Sequence, residues 1–96
     1  MKDYFLEHPR SGIEVRKALT DLLPGQVDPW LLLSDQGDPI AYFNIYQEDD
    51  KPFGVHVSIS GRHYWEDDLV LAVLRQLQQR VGGIIEDDKG KRLYLN

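Results

Sequence analysis

The stretch Phe53-Gly54-Val55-His56-Val57-Ser58-Ile59-Ser60 decides the fold. Val55, Val57 and Ile59 alternate with His56, Ser58 and Ser60, and a period of two sends the first set to one face of a strand and the second to the other. One face belongs to a core and the other is at least partly wet. Downstream, from about Trp65, the residues Val70, Val73, Leu74, Leu77 and Val81 recur at helical spacing until Gly82-Gly83, where glycine can take the left-handed conformation that closes a helix. A half-buried strand leading into an amphipathic helix predicts a layered α+β domain.

Working upstream, Ile40 to Tyr46 alternates small or apolar with polar or aromatic residues, and Trp30 to Leu33 is continuously apolar. Between them Asp35-Gln36-Gly37-Asp38-Pro39 breaks the chain, which predicts a hairpin. A first helix is expected over about Ser11 to Leu23. Ser11 and Glu14 have capping-box spacing, Val15, Ala18, Leu19 and Leu22 follow at helical intervals, and Pro24-Gly25 stops the run. At the C-terminal side, Ile84-Ile85, a turn through Asp88-Lys89-Gly90, and Leu93 to Leu95 predict a closing hairpin. Tyr4 to Leu6 is short enough to be read as a first strand or as extra helix.

The resulting order is a two-layer α+β sandwich, a largely antiparallel sheet with two helices on one face. It resembles the ferredoxin-like βαββαβ arrangement or a close variant, with one strand too many in the middle. The resemblance lies in element order, and that architecture hosts many unrelated functions.

The chain has 96 residues, 42% of them hydrophobic, so a single domain over residues 1–96 with one modest core is expected. There is no cysteine, which excludes disulfides and thiolate chemistry and accords with a reducing compartment. No run approaches the roughly 20 apolar residues that span a bilayer, and the N-terminus lacks a secretory signal pattern, so a cytoplasmic location is expected. Sixteen acidic side chains against eleven basic ones give a net charge of -5 without a Lys/Arg stripe. Nucleic acid and anionic membranes are therefore poor partners. A basic protein surface is a better one.

The acidic residues are clustered. Glu48-Asp49-Asp50, Glu66-Asp67-Asp68 and Glu86-Asp87-Asp88 hold nine of the sixteen. Connectivity sends the second and third triplets to one end of the sheet, together with Asp35 and Asp38, and the same end is expected to carry Arg10, Arg62 and His63. Each charge also has a local explanation. Carboxylates in a first helical turn favour the unpaired amides there by roughly 0.3–1 kcal/mol each, and Asp35, Asp38, Asp87 and Asp88 are common turn formers. No segment has calcium-loop spacing, and neither metal nor cofactor is expected.

A second candidate surface is the sheet face opposite the helices, where Tyr42, Asn44 and Tyr46 alternate with Ala41, Phe43 and Ile45, and His56, Ser58 and Ser60 lie alongside. Tyrosine gives large contact area at small entropic cost, although aromatic pairs also stabilise sheets with no partner at all. Catalytic patterns are thin. His8, His56 and His63 accompany no metalloprotease motif, nucleophile elbow, P-loop or dinucleotide fingerprint. Arg10, Ser11 and Gly12 open the first helix and offer a weak anion-binding arrangement.

These features together suggest a non-enzymatic protein-binding module, regulatory, inhibitory or of the size and charge of immunity proteins. Its contacts with a basic partner are expected from Glu66, Asp67, Asp68, Glu86, Asp87, Asp88, Tyr42, Tyr46 and His56. Two alternatives are a small-molecule-binding domain or small enzyme using His63 and Arg62 near the acidic end, and a homodimer formed through the exposed sheet face.

Overall fold

The computed structural model describes residues 2–48 and 51–94. The N-terminal stretch is a strand, β1 (Lys2–Glu7), which resolves the ambiguity at Tyr4 to Leu6. Tyr4 and Leu6 are buried and Asp3, Phe5 and Glu7 face the other way, so Phe5 is the one apolar residue that breaks the alternation. Then come α1 (Gly12–Leu22), β2 (Trp30–Leu33), β3 (Pro39–Glu48), β4 (Lys51–Ile59), a 3-10 segment over Gly61–Glu66, α2 (Asp67–Val81), β5 (Ile84–Asp87) and β6 (Arg92–Leu93).

The six strands form one sheet in the order β2-β3-β4-β1-β5-β6, with every neighbouring pair antiparallel. Its inner four strands, β3-β4-β1-β5, have the ferredoxin-like order. The surplus middle strand β2 sits outside β3, and β6 sits outside β5. Both edges are short, four and two residues, which limits the unpaired backbone presented to another chain.

Val55, Val57 and Ile59 of β4 pack with Tyr4, Leu6, Phe43 and Ile85 under the helices, and Val15, Ala18 and Leu19 of α1 and Val70, Leu74, Leu77 and Val81 of α2 close the same cluster. Both helices therefore lie on one face. Trp30 is fully buried although β2 is an edge strand; its Nε1 donates to Thr20 Oγ1 (3.2 Å) and the Arg16 guanidinium lies 5.3 Å from its ring centre. The helix start at Ser11 is as expected in its first half, with the Ser11 hydroxyl accepting the Glu14 amide at 3.4 Å. The Glu14 carboxylate lies 3.9 Å from Arg10 Nε.

The second helix begins later than Trp65, because the chain makes 3-10 turns through Glu66 and is interrupted at His63 (φ -129°, ψ 25°). It ends at Gly82 and Gly83, with φ of 75° and 104°. A side chain at Gly83 would also place its Cβ 2.7 Å from the Glu7 carbonyl oxygen, so the entry to β5 requires glycine on two counts. Of the expected closing strand, Leu95 lies outside the described residues, as do Asp49 and Asp50 of the first acidic triplet. Among the described residues no helix is long and apolar enough to cross a membrane.

Candidate functional site

The second and third acidic triplets do reach one end of the sheet, on either side of Lys2. Lys2 Nζ donates to Asp67 Oδ2 at 2.6 Å, the Tyr4 hydroxyl donates to the same oxygen at 3.3 Å, and Asp88 is close enough to favour the charged lysine. The Lys2 hydrogen bond, against the opposing effect of burial, holds the Asp67 carboxyl below its ordinary value. A carboxylate so depressed stabilises the fold above its unfolded pKa and loses that contribution as the pH falls through the folded one. Asp67→Asn is thus expected to cost under about 1 kcal/mol at neutral pH, since the pair is partly exposed, and the difference from the parent is expected to shrink only as the pH falls below about 4 and on through the depressed folded pKa. Urea unfolding at several pH values checks this; a deficit that persists in acid would contradict it.

Internal partners also take up other members of the triplets. Glu66 Oε2 lies 2.6 Å from His63 Nδ1, and Asp87 Oδ1 accepts the amides of Lys89 and Lys91 (2.9 Å each), which lowers the Asp87 pKa. Asp68 lies in the first turn of α2, as expected. His63 and Glu66 border a hollow of about 260 Å³ with Asp35 and Asp38. The expectation that Arg10 shares this end is corrected. Its backbone amide donates to Val81 O (2.9 Å) and its guanidinium to Arg80 O, so Arg10 sits where α2 finishes, at the opposite end. Sequence distance hid this because β1 runs away from the acidic end before Arg10 is reached. Ser11 is the helix cap there, and Gly12 faces the Phe53 ring. Arg62 is exposed and does not border the hollow, so His63, Arg62 and Arg10 do not form one constellation.

The sheet face away from the helices gathers a different set. Register places Phe5 beside His56 on one side and Glu86 on the other, His56 beside Asn44, and Tyr46 beside Gly54. The Phe5 and His56 rings stack at 4.9 Å with 14° between planes, and Tyr46 meets Phe5 edge-on at 6.4 Å. Tyr46 can lie down over the sheet because its cross-strand neighbour is glycine: a Cβ on Gly54 would be 2.6 Å from the Tyr46 hydroxyl oxygen. Tyr42 stands on the same face, 38% exposed, next to Leu31. Between these rings and the β5–β6 turn runs a groove of about 410 Å³, with Phe5, Tyr46 and His56 on one wall and Glu86, Asp87, Asp88 and Gly90 on the other.

Asp3, His56 and Ser58 meet on this face. Asp3 Oδ1 accepts the Ser58 hydroxyl at 2.9 Å and lies 3.1 Å from His56 Nε2, while Ser58 Oγ is 3.4 Å from that same nitrogen. A serine nucleophile needs a ring nitrogen with a free lone pair aimed at it and a carboxylate on the other nitrogen. Here one nitrogen faces both groups. The carboxylate requires a proton on Nε2, and the serine proton is committed to Asp3, so the trio fixes the ring of His56 and does not make a proton relay. Among the described residues no three His, Asp or Glu side chains are arranged to hold a metal ion.

Of the sequence-derived contact residues, Tyr46, His56, Glu86, Asp87 and Asp88 border the groove, Tyr42 shares its face, and Glu66 and Asp67 lie elsewhere, facing His63 and Lys2. Phe5, Asp3 and Glu7 were not foreseen. The two-residue spacing of Tyr4 and Leu6 was the available signal, and a strand there puts Asp3, Phe5 and Glu7 on the open face. The chain matches no known protein-family profile and no curated protein sequence.

Proposed function

We propose that this chain is a protein-binding module whose contact surface is the open sheet face at the Phe5–Tyr46–His56 groove, and that its partner presents a basic surface. The observation that carries the reading is the juxtaposition of an aromatic wall with an acidic one. The side chains of Glu7 and Glu86 make no hydrogen bond or ion pair among the described residues, so their charge is available to a partner, in contrast to the charge of Asp67. Aromatic contact area flanked by carboxylates supplies both a desolvated anchor and electrostatic steering. Self-association through this face is disfavoured, because it would gather the Glu7 and Glu86 carboxylates of both copies in one interface with no cation of the face, among the described residues, paired to them.

Paired affinity capture tests the reading. The parent chain and Glu86→Lys/Asp88→Lys serve as baits, with capture repeated at rising salt. A stoichiometric basic companion held by the parent, lost by the variant and released by salt is the expected result. Identical companions on both baits would show that the acidic wall is not the recognition element.

A further inference from the structure

The groove has a chemistry more specific than acidity. Its volume of about 410 Å³ falls in the roughly 300–1,000 Å³ range of small-ligand clefts. One wall is a preassembled stack: Phe5 lies against His56, and the His56 ring is itself held by Asp3 and Ser58. The facing wall carries Glu86, unpaired among the described residues, in register with Phe5. Among the described residues no cation of the chain pairs with the Glu86 carboxylate. Arg92 stands opposite Glu86 on β6, but its guanidinium lies 5.0 Å from the Tyr94 ring centre.

From this geometry we infer that the groove is a receptor for one guanidinium group, an arginine side chain presented by the basic partner. The inference rests on the reading that the open face is the contact surface. A guanidinium is planar and weakly hydrated, so it can lie on the aromatic wall while its edge donates to a carboxylate. A lysine ammonium is a compact, strongly hydrated charge that cannot stack in this way. An anion meets Glu86 and Asp88, and a neutral apolar group leaves those carboxylates desolvated without a partner.

The test is a titration of the isotope-labelled full chain, followed by its backbone amide resonances, with three acetylated and amidated tripeptides: Gly-Arg-Gly, Gly-Lys-Gly and Gly-citrulline-Gly. The arginine peptide is expected to shift Phe5, His56 and Glu86 saturably in the millimolar range, the lysine peptide several-fold more weakly, and the neutral citrulline peptide not at all. Glu86→Gln, which keeps shape and removes charge, is expected to weaken the arginine peptide roughly tenfold. Phe5→Leu is expected to weaken it while leaving the rest of the spectrum dispersed. Lysine binding as tightly as arginine at these residues overturns the guanidinium receptor but leaves the basic-partner reading in place. Citrulline binding as well as arginine overturns the charge requirement. No shift on the open face with any peptide, even at tens of millimolar, overturns the guanidinium receptor, and the paired capture then decides the basic-partner reading separately.

Discussion

Replacing Trp30 by alanine is expected to remove about 3–5 kcal/mol of stability, a large part of the roughly 5–15 kcal/mol available to a domain. Trp30 is the largest fully buried side chain, and it belongs to the four-residue edge strand β2. Its indole is what ties that strand to α1. The ring enters the core, Nε1 donates to Thr20, and Arg16, which is paired with Asp28 through two hydrogen bonds of 3.2 and 2.5 Å, lies over its face. Truncation leaves a cavity and an arginine with no ring beneath it, while the Thr20 hydroxyl loses the indole donor and keeps its own bond to the Arg16 carbonyl (2.9 Å). Trp30→Phe keeps a ring in the cavity and loses the Thr20 bond, for an expected cost of about 1–2 kcal/mol. Urea unfolding of the three proteins checks the order. An alanine variant within about 1 kcal/mol of the parent would mean that β2 is not anchored through this side chain.

Gly54→Ala is the second large effect, expected at about 1–3 kcal/mol, and it falls on the candidate site. The added methyl would lie 2.6 and 2.8 Å from the Tyr46 hydroxyl oxygen and Cζ, and 2.7 Å from the Leu6 carbonyl oxygen. Tyr46 can swing away; the Leu6 carbonyl belongs to β1 and cannot move without disturbing its pairing with β4. The double variant Gly54→Ala/Tyr46→Ala separates the two causes. It should recover part of the Gly54→Ala loss beyond what the Tyr46→Ala cost alone allows, because the ring clash is gone while the backbone clash remains. Strict additivity would show that Tyr46 does not rest on Gly54. The same substitution should weaken any binding in the groove, since it displaces one of its aromatic walls.

Legibility from sequence followed the range of the interaction. The alternation at Val55, Val57 and Ile59 and the stripe at Val70, Leu74, Leu77 and Val81 are periodic, local signals, and both elements and their buried faces were readable from them. The convergence of the second and third acidic triplets was also readable, because strand and helix lengths carry the chain to a definite end of the sheet. The site was only half visible. Tyr46 and His56 announce themselves on long strands, but Phe5 sits in a six-residue strand whose apolar positions are too few to distinguish it from a helix turn. What the carboxylates do was legible where the partner is local, as for Asp68 in the first turn of α2 and Asp87 in its turn, and not where the partner is distant. Asp67 is drawn to Lys2 across 65 residues, and Asp3 to His56 across 53, so nothing in their local sequence separates a structural carboxylate from the unpaired Glu86.

The most direct measurement is oxidative footprinting of the chain alone and in the complex recovered by capture, read at its aromatic side chains. Two surfaces compete. The open face carries Tyr42 and Tyr46, whereas Trp65 stands 73% exposed in the 3-10 segment that precedes α2, with Tyr64 and Leu69 also exposed. With the partner seated on the open face, Tyr42, Tyr46 and Phe5 are expected to be protected and Trp65 to stay as reactive as in the free chain. Protection of Trp65 with Tyr42 and Tyr46 unchanged would contradict it and move the contact surface to the helix side.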